Sequence, residues 1–329
     1  MQTMTVVGGG AWGTALATVA ARAGLDVMLW VREPEIADTI NTTHENTAFL
    51  PGIPLDPKIK ATTQVADLVG LDACLLACPA QHLRAVTEEL SPVLPKGALV
   101  AICAKGIEQT SGKLMSEVLA ETLPHAVPAI LSGPSFAADV ARGQPTAVTL
   151  ACREEEKASA LAETIGSATF RPYWSPDVVG AQIGGAIKNV LAIACGIVDG
   201  KGFGESARAA LTARGFAEMT RFGTTLGAAR ETLTGLSGLG DLILTCTSTQ
   251  SRNMSLGQAL GAGETLETIL AARNNVAEGV YTASAVRKIA TERHLDMPIC
   301  ASIADIVTGA QSVDDAIASL LARPFTAEL

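Results

Sequence analysis

The chain has 329 residues, carries a net charge of −9 and draws only 4% of its residues from Phe, Trp and Tyr. That length favours two domains with ample apolar interior over one core. The negative charge, with no dense Lys/Arg run, excludes a nucleic-acid-binding surface.

The first organised stretch is Thr5-Val6-Val7-Gly8-Gly9-Gly10-Ala11-Trp12-Gly13, an apolar strand that enters a glycine turn and leaves as an alanine-rich helix running to Arg22. Gly8, Gly10 and Gly13 have the spacing of a dinucleotide-binding turn. Gly8 permits the sharp turn, Gly10 lets backbone amides approach a pyrophosphate, and Gly13 lets the helix pack on the strand. The phosphates would sit at a helix N-terminus, where unpaired N–H groups and the helix dipole favour negative charge. The next apolar run, Val27 to Val31, ends in Arg32. An acidic residue there would bind the adenosine ribose of NAD, whereas arginine suits the 2′-phosphate of NADP, so NADP is favoured over NAD with dual use open. Glu33 follows and could still reach a ribose.

The segment between Thr42 and Lys60, with Pro51, Pro54 and Pro57, reads as an irregular loop. Apolar runs then recur at Ala73 to Ala77, Ala98 to Ala104, Ala129 to Leu131 and Ala147 to Ala151. Helical patterns alternate with them at Gln81 to Leu90, Gly112 to Glu121, Phe136 to Ala141 and Glu154 to Ile165. Continuous apolar strands alternating with helices imply an α/β fold, a doubly wound parallel (Rossmann-type) sheet covered on both faces. The turns Cys78-Pro79-Ala80, Ala104-Lys105-Gly106 and Ser132-Gly133-Pro134-Ser135 would line the crevice beyond the carboxyl ends of its strands.

Strand signals fade at Tyr173-Trp174-Ser175-Pro176-Asp177, where a strand end, a proline and a helix start coincide. The expected division is a dinucleotide-binding domain over 1–177 and an all-helical C-terminal, substrate-binding domain over 178–329, whose helices could supply a homodimer surface. Ile183 to Val198 is apolar but contains Lys188 and Asn189, and reads as too short and too polar for a membrane span. Seven cysteines, Cys74, Cys78, Cys103, Cys152, Cys195, Cys246 and Cys300, lie mostly in apolar runs. They suggest buried thiols in a reducing compartment, with no disulfide framework and no metal site. With Met4 to Val7 already a strand and no leader pattern before it, a soluble cytoplasmic protein is expected.

Lys188 is the most informative residue. On a helix its face neighbours are Ala181, Gly184, Gly185, Leu191, Ala192 and Cys195, none of them charged. Such a lysine is either a snorkelling or ion-paired structural residue, or a general acid/base with an adjustable pKa. The small neighbours would leave room for substrate and nicotinamide, and Asn189 adds an amide donor and acceptor. Asp241, after the glycine-rich Gly235 to Gly240 loop, reads both as a helix N-cap and as a carboxylate able to pair with Lys188. The hydroxyl-rich Thr247 to Asn253 loop, with Arg252 and Asn253, suits a phosphate monoester.

Together with Ala104-Lys105-Gly106-Ile107-Glu108, Leu131 to Ala137, Lys188-Asn189-Val190-Leu191-Ala192-Ile193, Gly238-Leu239-Gly240-Asp241-Leu242 and Val276 to Tyr281, the glycine turn resembles bacterial NAD(P)-dependent glycerol-3-phosphate dehydrogenase over essentially the whole chain. The resemblance implies reversible reduction of dihydroxyacetone phosphate to sn-glycerol 3-phosphate for glycerophospholipid synthesis, with NADP or NAD as cofactor. It implies that Lys188 is the proton donor and acceptor, with Asp241 beside it. Lys105, Gly133, Ser135, Asp241, Ser251, Arg252 and Asn253 would contact substrate. Trp12, Arg32, Lys105, Ala137, Arg252, Val276 and Glu278 would contact the cofactor. If Lys188 serves both directions, its pKa must lie below that of free lysine. The rivals are a related hydroxyacid dehydrogenase, whose substrate would carry a carboxylate where the Ser251-Arg252-Asn253 loop suits a phosphate, and a non-catalytic NADPH-responsive regulator.

Overall fold

In a computed structural model, which describes residues 3–68, 73–272, 277–325 and 327, the N-terminal part of the chain is organised by one sheet. Its strands are β1 (Thr3–Val7), β2 (Asp26–Trp30), β3 (Ile59–Thr62), β4 (Ala73–Leu76), β5 (Leu99–Ile102), β6 (Val127–Ser132), β7 (Thr146–Cys152) and β8 (Phe170–Ser175). Among the described residues they form an eight-stranded sheet in the order β3-β2-β1-β4-β5-β6-β7-β8. The order turns back at β1, so the crevice opens between β1 and β4, beyond their carboxyl ends.

The side-chain alternation explains why the apolar runs are continuous. Val6, Leu29, Leu75, Ala101 and Leu131 belong to one core and Val7, Leu76, Ile102 and Ile130 to another on the opposite face. Helices α1 (Ala11–Arg22), α2 (Pro34–Thr43), α5 (Ala137–Ala141) and α6 (Glu155–Ile165) cover the first face; α3 (Leu83–Leu90) and α4 (Met115–Thr122) cover the second.

The sheet departs from the expected uniform direction: β6 and β7 are antiparallel, while the other neighbouring pairs run parallel. The five-residue α5 between them packs on α1 and makes no crossover. Helix α2 and strand β3 were not anticipated. The proline segment before β3 is irregular, as expected, but it is tied down: Leu50 N–H donates to Asn46 O at 2.8 Å and Leu55 N–H to His44 O at 2.8 Å.

Asp177 opens the helical part. Its Oδ1 accepts from Gly180 N–H at 2.8 Å, capping α7 (Val178–Gly200), and its Oδ2 accepts from Ala229 N–H at 2.9 Å. Around α7 pack α8 (Glu205–Thr225), α9 (Arg230–Thr234), α10 (Asp241–Thr247), α11 (Arg252–Gly261), α13 (Glu278–Glu292) and α14 (Pro298–Val307); α12 (Leu266–Ala271) and α15 (Val313–Leu321) lie further out. By length and composition α7 could cross a membrane, since it extends past both ends of the Ile183 to Val198 run. Instead 94% of its apolar window is buried inside the protein. Two of the small residues on α7 serve helix packing: a Cβ on Gly184 would lie 2.4 Å from Ser237 O, and one on Gly196 2.1 Å from Met254 O, whereas one on Gly185 would lie 2.8 Å from Ser132 Oγ and 3.3 Å from Lys105 Cγ. All seven cysteines are buried free thiols.

Candidate active site

Between β1 and α1 the backbone turns at Gly8 with φ +117°, and a Cβ there would lie 2.9 Å from the Ala77 carbonyl carbon. A Cβ on Gly13 would lie 1.9 Å from Gly8 O, so the helix sits directly on the turn. Gly10 differs, because a side chain there would meet nothing within 4 Å. It is the cap residue of α1, with no side chain bonded to the first-turn N–H groups, and Trp12 Nε1 beside it is buried without a partner. Open space, unpaired donors and a helix dipole fit a dinucleotide pyrophosphate. Arg32, at the end of β2, has a side chain 76% exposed and an ion pair to Glu33 at 2.7 Å. Such a surface pair is worth little and can yield to a phosphate. Ala137 opens α5, which packs on α1. Val276 lies outside the described residues.

The turns after β4, β5 and β6 meet the helical part across the crevice. Lys105, after β5, donates from Nζ to Gly133 O at 3.0 Å and to Asp241 Oδ2 at 2.7 Å. Lys188 on α7 donates to Asp241 Oδ1 at 2.6 Å and to Thr245 Oγ1 at 2.9 Å. Thr245 in turn donates to Asp241 Oδ1 at 3.2 Å. Asp241 is therefore not a helix cap. Gly240 holds the cap position, the preceding glycine stretch is a π-helical turn over Leu236–Gly240, and Asp241 opens α10 with its carboxylate, 1% exposed, turned onto two lysines.

Two ammonium groups sharing one carboxylate leave a net positive charge, which suits an anionic substrate or a developing oxyanion. Burial pushes the Lys188 pKa down to about 8, with Lys105 adding to the fall and Asp241 opposing it. The free amine and the ammonium are then both accessible near neutral pH, as a group working in both directions requires.

Asn189 donates to Lys105 O at 3.0 Å and Gly185 O at 3.3 Å, and its Oδ1 accepts from Asn253 Nδ2 at 2.9 Å. Asn253 Oδ1 accepts from Gly279 N–H at 3.0 Å. These amides thus tie α7, α11 and α13 to the β5 turn. Of the Thr247 to Asn253 stretch only 248–251 is a loop: Thr247 ends α10, the Ser251 side chain caps α11, accepting from Met254 N–H at 3.2 Å, and Arg252 and Asn253 form its first turn. A helix start with an arginine in it has the chemistry to take a phosphate. Ser135 donates to Gly133 O at 3.0 Å.

Glu278 opens α13 and accepts from Ala80 N–H at 3.0 Å through Oε1, while Oε2 is buried without a hydrogen-bond partner. Burial raises its pKa, with Ala80 N–H and the Arg252 charge opposing. Thr245 escaped the sequence reading, although it stands one helical turn beyond Asp241 and shares its face.

The model for the NAD-dependent glycerol-3-phosphate dehydrogenase N-terminus matches residues 3–158, and that for the C-terminus matches residues 177–318. The chain is 61% identical to a glycerol-3-phosphate dehydrogenase [NAD(P)+] of Parvibaculum lavamentivorans over 99% of this chain and 98% of that one. It is similar to the crystal structure of glycerol-3-phosphate dehydrogenase from Coxiella burnetii, with a TM-score of 0.94, 37% identity and coverage of 98% and 99% of the two chains. A ketopantoate reductase from Ralstonia eutropha shares the fold alone, with a TM-score of 0.61 at 16% identity over 96% of this chain and 99% of that one.

Proposed function

The chain belongs to the NAD-dependent glycerol-3-phosphate dehydrogenase family, and from that premise we propose how its own residues carry the reaction. It is an NAD(P)-dependent oxidoreductase that interconverts dihydroxyacetone phosphate and sn-glycerol 3-phosphate. When bound, the nicotinamide supplies or accepts the hydride.

The ammonium of Lys188 polarises the C2 oxygen of dihydroxyacetone phosphate and donates its proton there; in the reverse direction the neutral amine takes the hydroxyl proton. Asp241 and Thr245 hold that nitrogen in place. Lys105 adds positive charge where the oxyanion develops. The start of α11, with Ser251, Arg252 and Asn253, receives the phosphate, and Gly133, Ser135 and Asn189 complete the substrate wall. The backbone at Gly8, Gly10 and Gly13 cradles the cofactor's pyrophosphate, flanked by Trp12, Ala137, Lys105, Arg252 and Glu278. Arg32 favours NADP over NAD through the 2′-phosphate.

In this reading residues 1–177 bind the dinucleotide and 178–329 supply the substrate site, working in the cytoplasm on the way to glycerophospholipids, with the helical half available for a homodimer. The observation that carries the reading is the buried Lys188–Asp241 contact of 2.6 Å at the carboxyl edge of the sheet, with the Lys188 pKa lowered to about 8. Mixing protein, NADPH and dihydroxyacetone phosphate should consume the reduced cofactor, and Lys188→Ala should lower turnover by roughly 10²- to 10⁴-fold while cofactor still binds. No turnover with either nicotinamide sinks the reading; near-normal turnover of the variant makes Lys188 structural.

A further inference from the structure

The glycine turn has a second support outside its own sequence. Asn46 lies between α2 and β3, is 1% exposed, and uses its side-chain amide three times. Nδ2 donates to Gly9 O at 2.8 Å and to Thr14 Oγ1 at 2.8 Å, and Oδ1 accepts from Phe49 N–H at 3.1 Å. The backbone partners settle which end of the amide is which, since a carbonyl only accepts and an N–H only donates. Asn46 is itself held, through its carbonyl bond from Leu50 and through Leu50, Ile53 and Leu55, which are buried in the core beneath α1.

Gly8, Gly9 and Gly10 are consecutive, and glycine backbone is the freest to rotate. Nothing in that run itself fixes the plane of the peptide joining Gly9 to Gly10. In a planar trans peptide the carbonyl and the following N–H point in opposite directions. Holding Gly9 O on Asn46 therefore turns the Gly10 N–H away from Asn46. Gly10 is the residue beside open space, and the bond to Thr14 Oγ1 ties the same amide to the first turn of α1.

We infer that Asn46 is a positioning residue for the cofactor: it locks the Gly9–Gly10 peptide so that the Gly10 N–H is presented to the pyrophosphate. This rests on the glycine turn being the dinucleotide site. Asn46 acts through the turn, removing in advance an ordering cost that binding would otherwise bear.

The test is calorimetric titration of NADPH, NADH and adenosine 2′-monophosphate, which has no pyrophosphate, into the full chain and into Asn46→Asp and Asn46→Ala. Asn46→Asp keeps the shape and the acceptor for Phe49 N–H but turns a carboxylate oxygen onto Gly9 O. Both variants should weaken NADPH and NADH by the same factor, about tenfold or more, and leave adenosine 2′-monophosphate unchanged. Undiminished binding of both nicotinamides by the variants, or equal weakening of all three ligands, overturns the inference alone. Failure of the unaltered chain to bind either nicotinamide overturns the dinucleotide reading of the turn and this inference with it.

Discussion

The glycine turn and the Lys188–Asp241 cluster face the same crevice and are made of opposite materials. At the turn the proposed recognition is made of backbone: at Gly8 and Gly13 a Cβ would collide, and at Gly10 it would stand in open space. At the cluster it is made of side chains that meet only on folding, Asp241 standing 53 positions from Lys188 and 136 from Lys105. A backbone site has no group to titrate and leaves its mark as spacing in a short window. A side-chain site is tunable by burial and neighbouring charge, and is assembled from distant parts of the chain. In the proposed function two kinds of chemistry, holding a pyrophosphate and moving a proton, are thereby kept on separate supports.

Asp241→Asn should break this division most severely. Removing the shared carboxylate strands the buried Lys188 ammonium and leaves the half-buried Lys105 without its anion, which costs roughly 3–5 kcal/mol of stability in chemical denaturation. It also removes the charge that opposes deprotonation of Lys188, so the pH at which reduction fails should move lower. Cofactor affinity should change little. A comparable loss of NADPH binding would mean that the two regions act as one unit. Arg32→Ala is the gentler probe. It should weaken NADPH by roughly tenfold and NADH little in equilibrium titrations, because only the former carries a 2′-phosphate. Equal loss of both removes the basis for an NADP preference.

The same contrast explains what could be read beforehand. The β1-turn-α1 unit was legible because each glycine has a local reason. Lys188 was legible because an ammonium on an apolar helix face has no solvated stripe to join. Its pairing with Asp241 could be anticipated, but Thr245 and the second lysine on the same carboxylate could not, since those contacts depend on how α10 crosses α7. Helix α2 has only Ala37 and Ile40 buried, too thin a stripe to announce itself. Strand β3 is four residues long at the sheet edge, where alternation has no length to develop. The reversal at β7 was hidden because a continuous apolar run carries no direction. Of the two roles the sequence allows Asp241, the cap falls to Gly240 and the pairing with Lys188 is the one formed; a place after glycines permits a cap, and the lysines that claim the carboxylate lie far away in sequence.

The central claim is that one buried lysine, held by Asp241, moves the proton in both directions. The direct test is kcat/KM against pH for the unaltered protein, measured as reduction of dihydroxyacetone phosphate and as oxidation of glycerol 3-phosphate. Reduction uses protonated Lys188, so it should fall as pH rises through about 8; oxidation uses the neutral amine and should rise through the same point. A reduction rate that stays level until the pH of an ordinary lysine, near 10.4, would contradict the account.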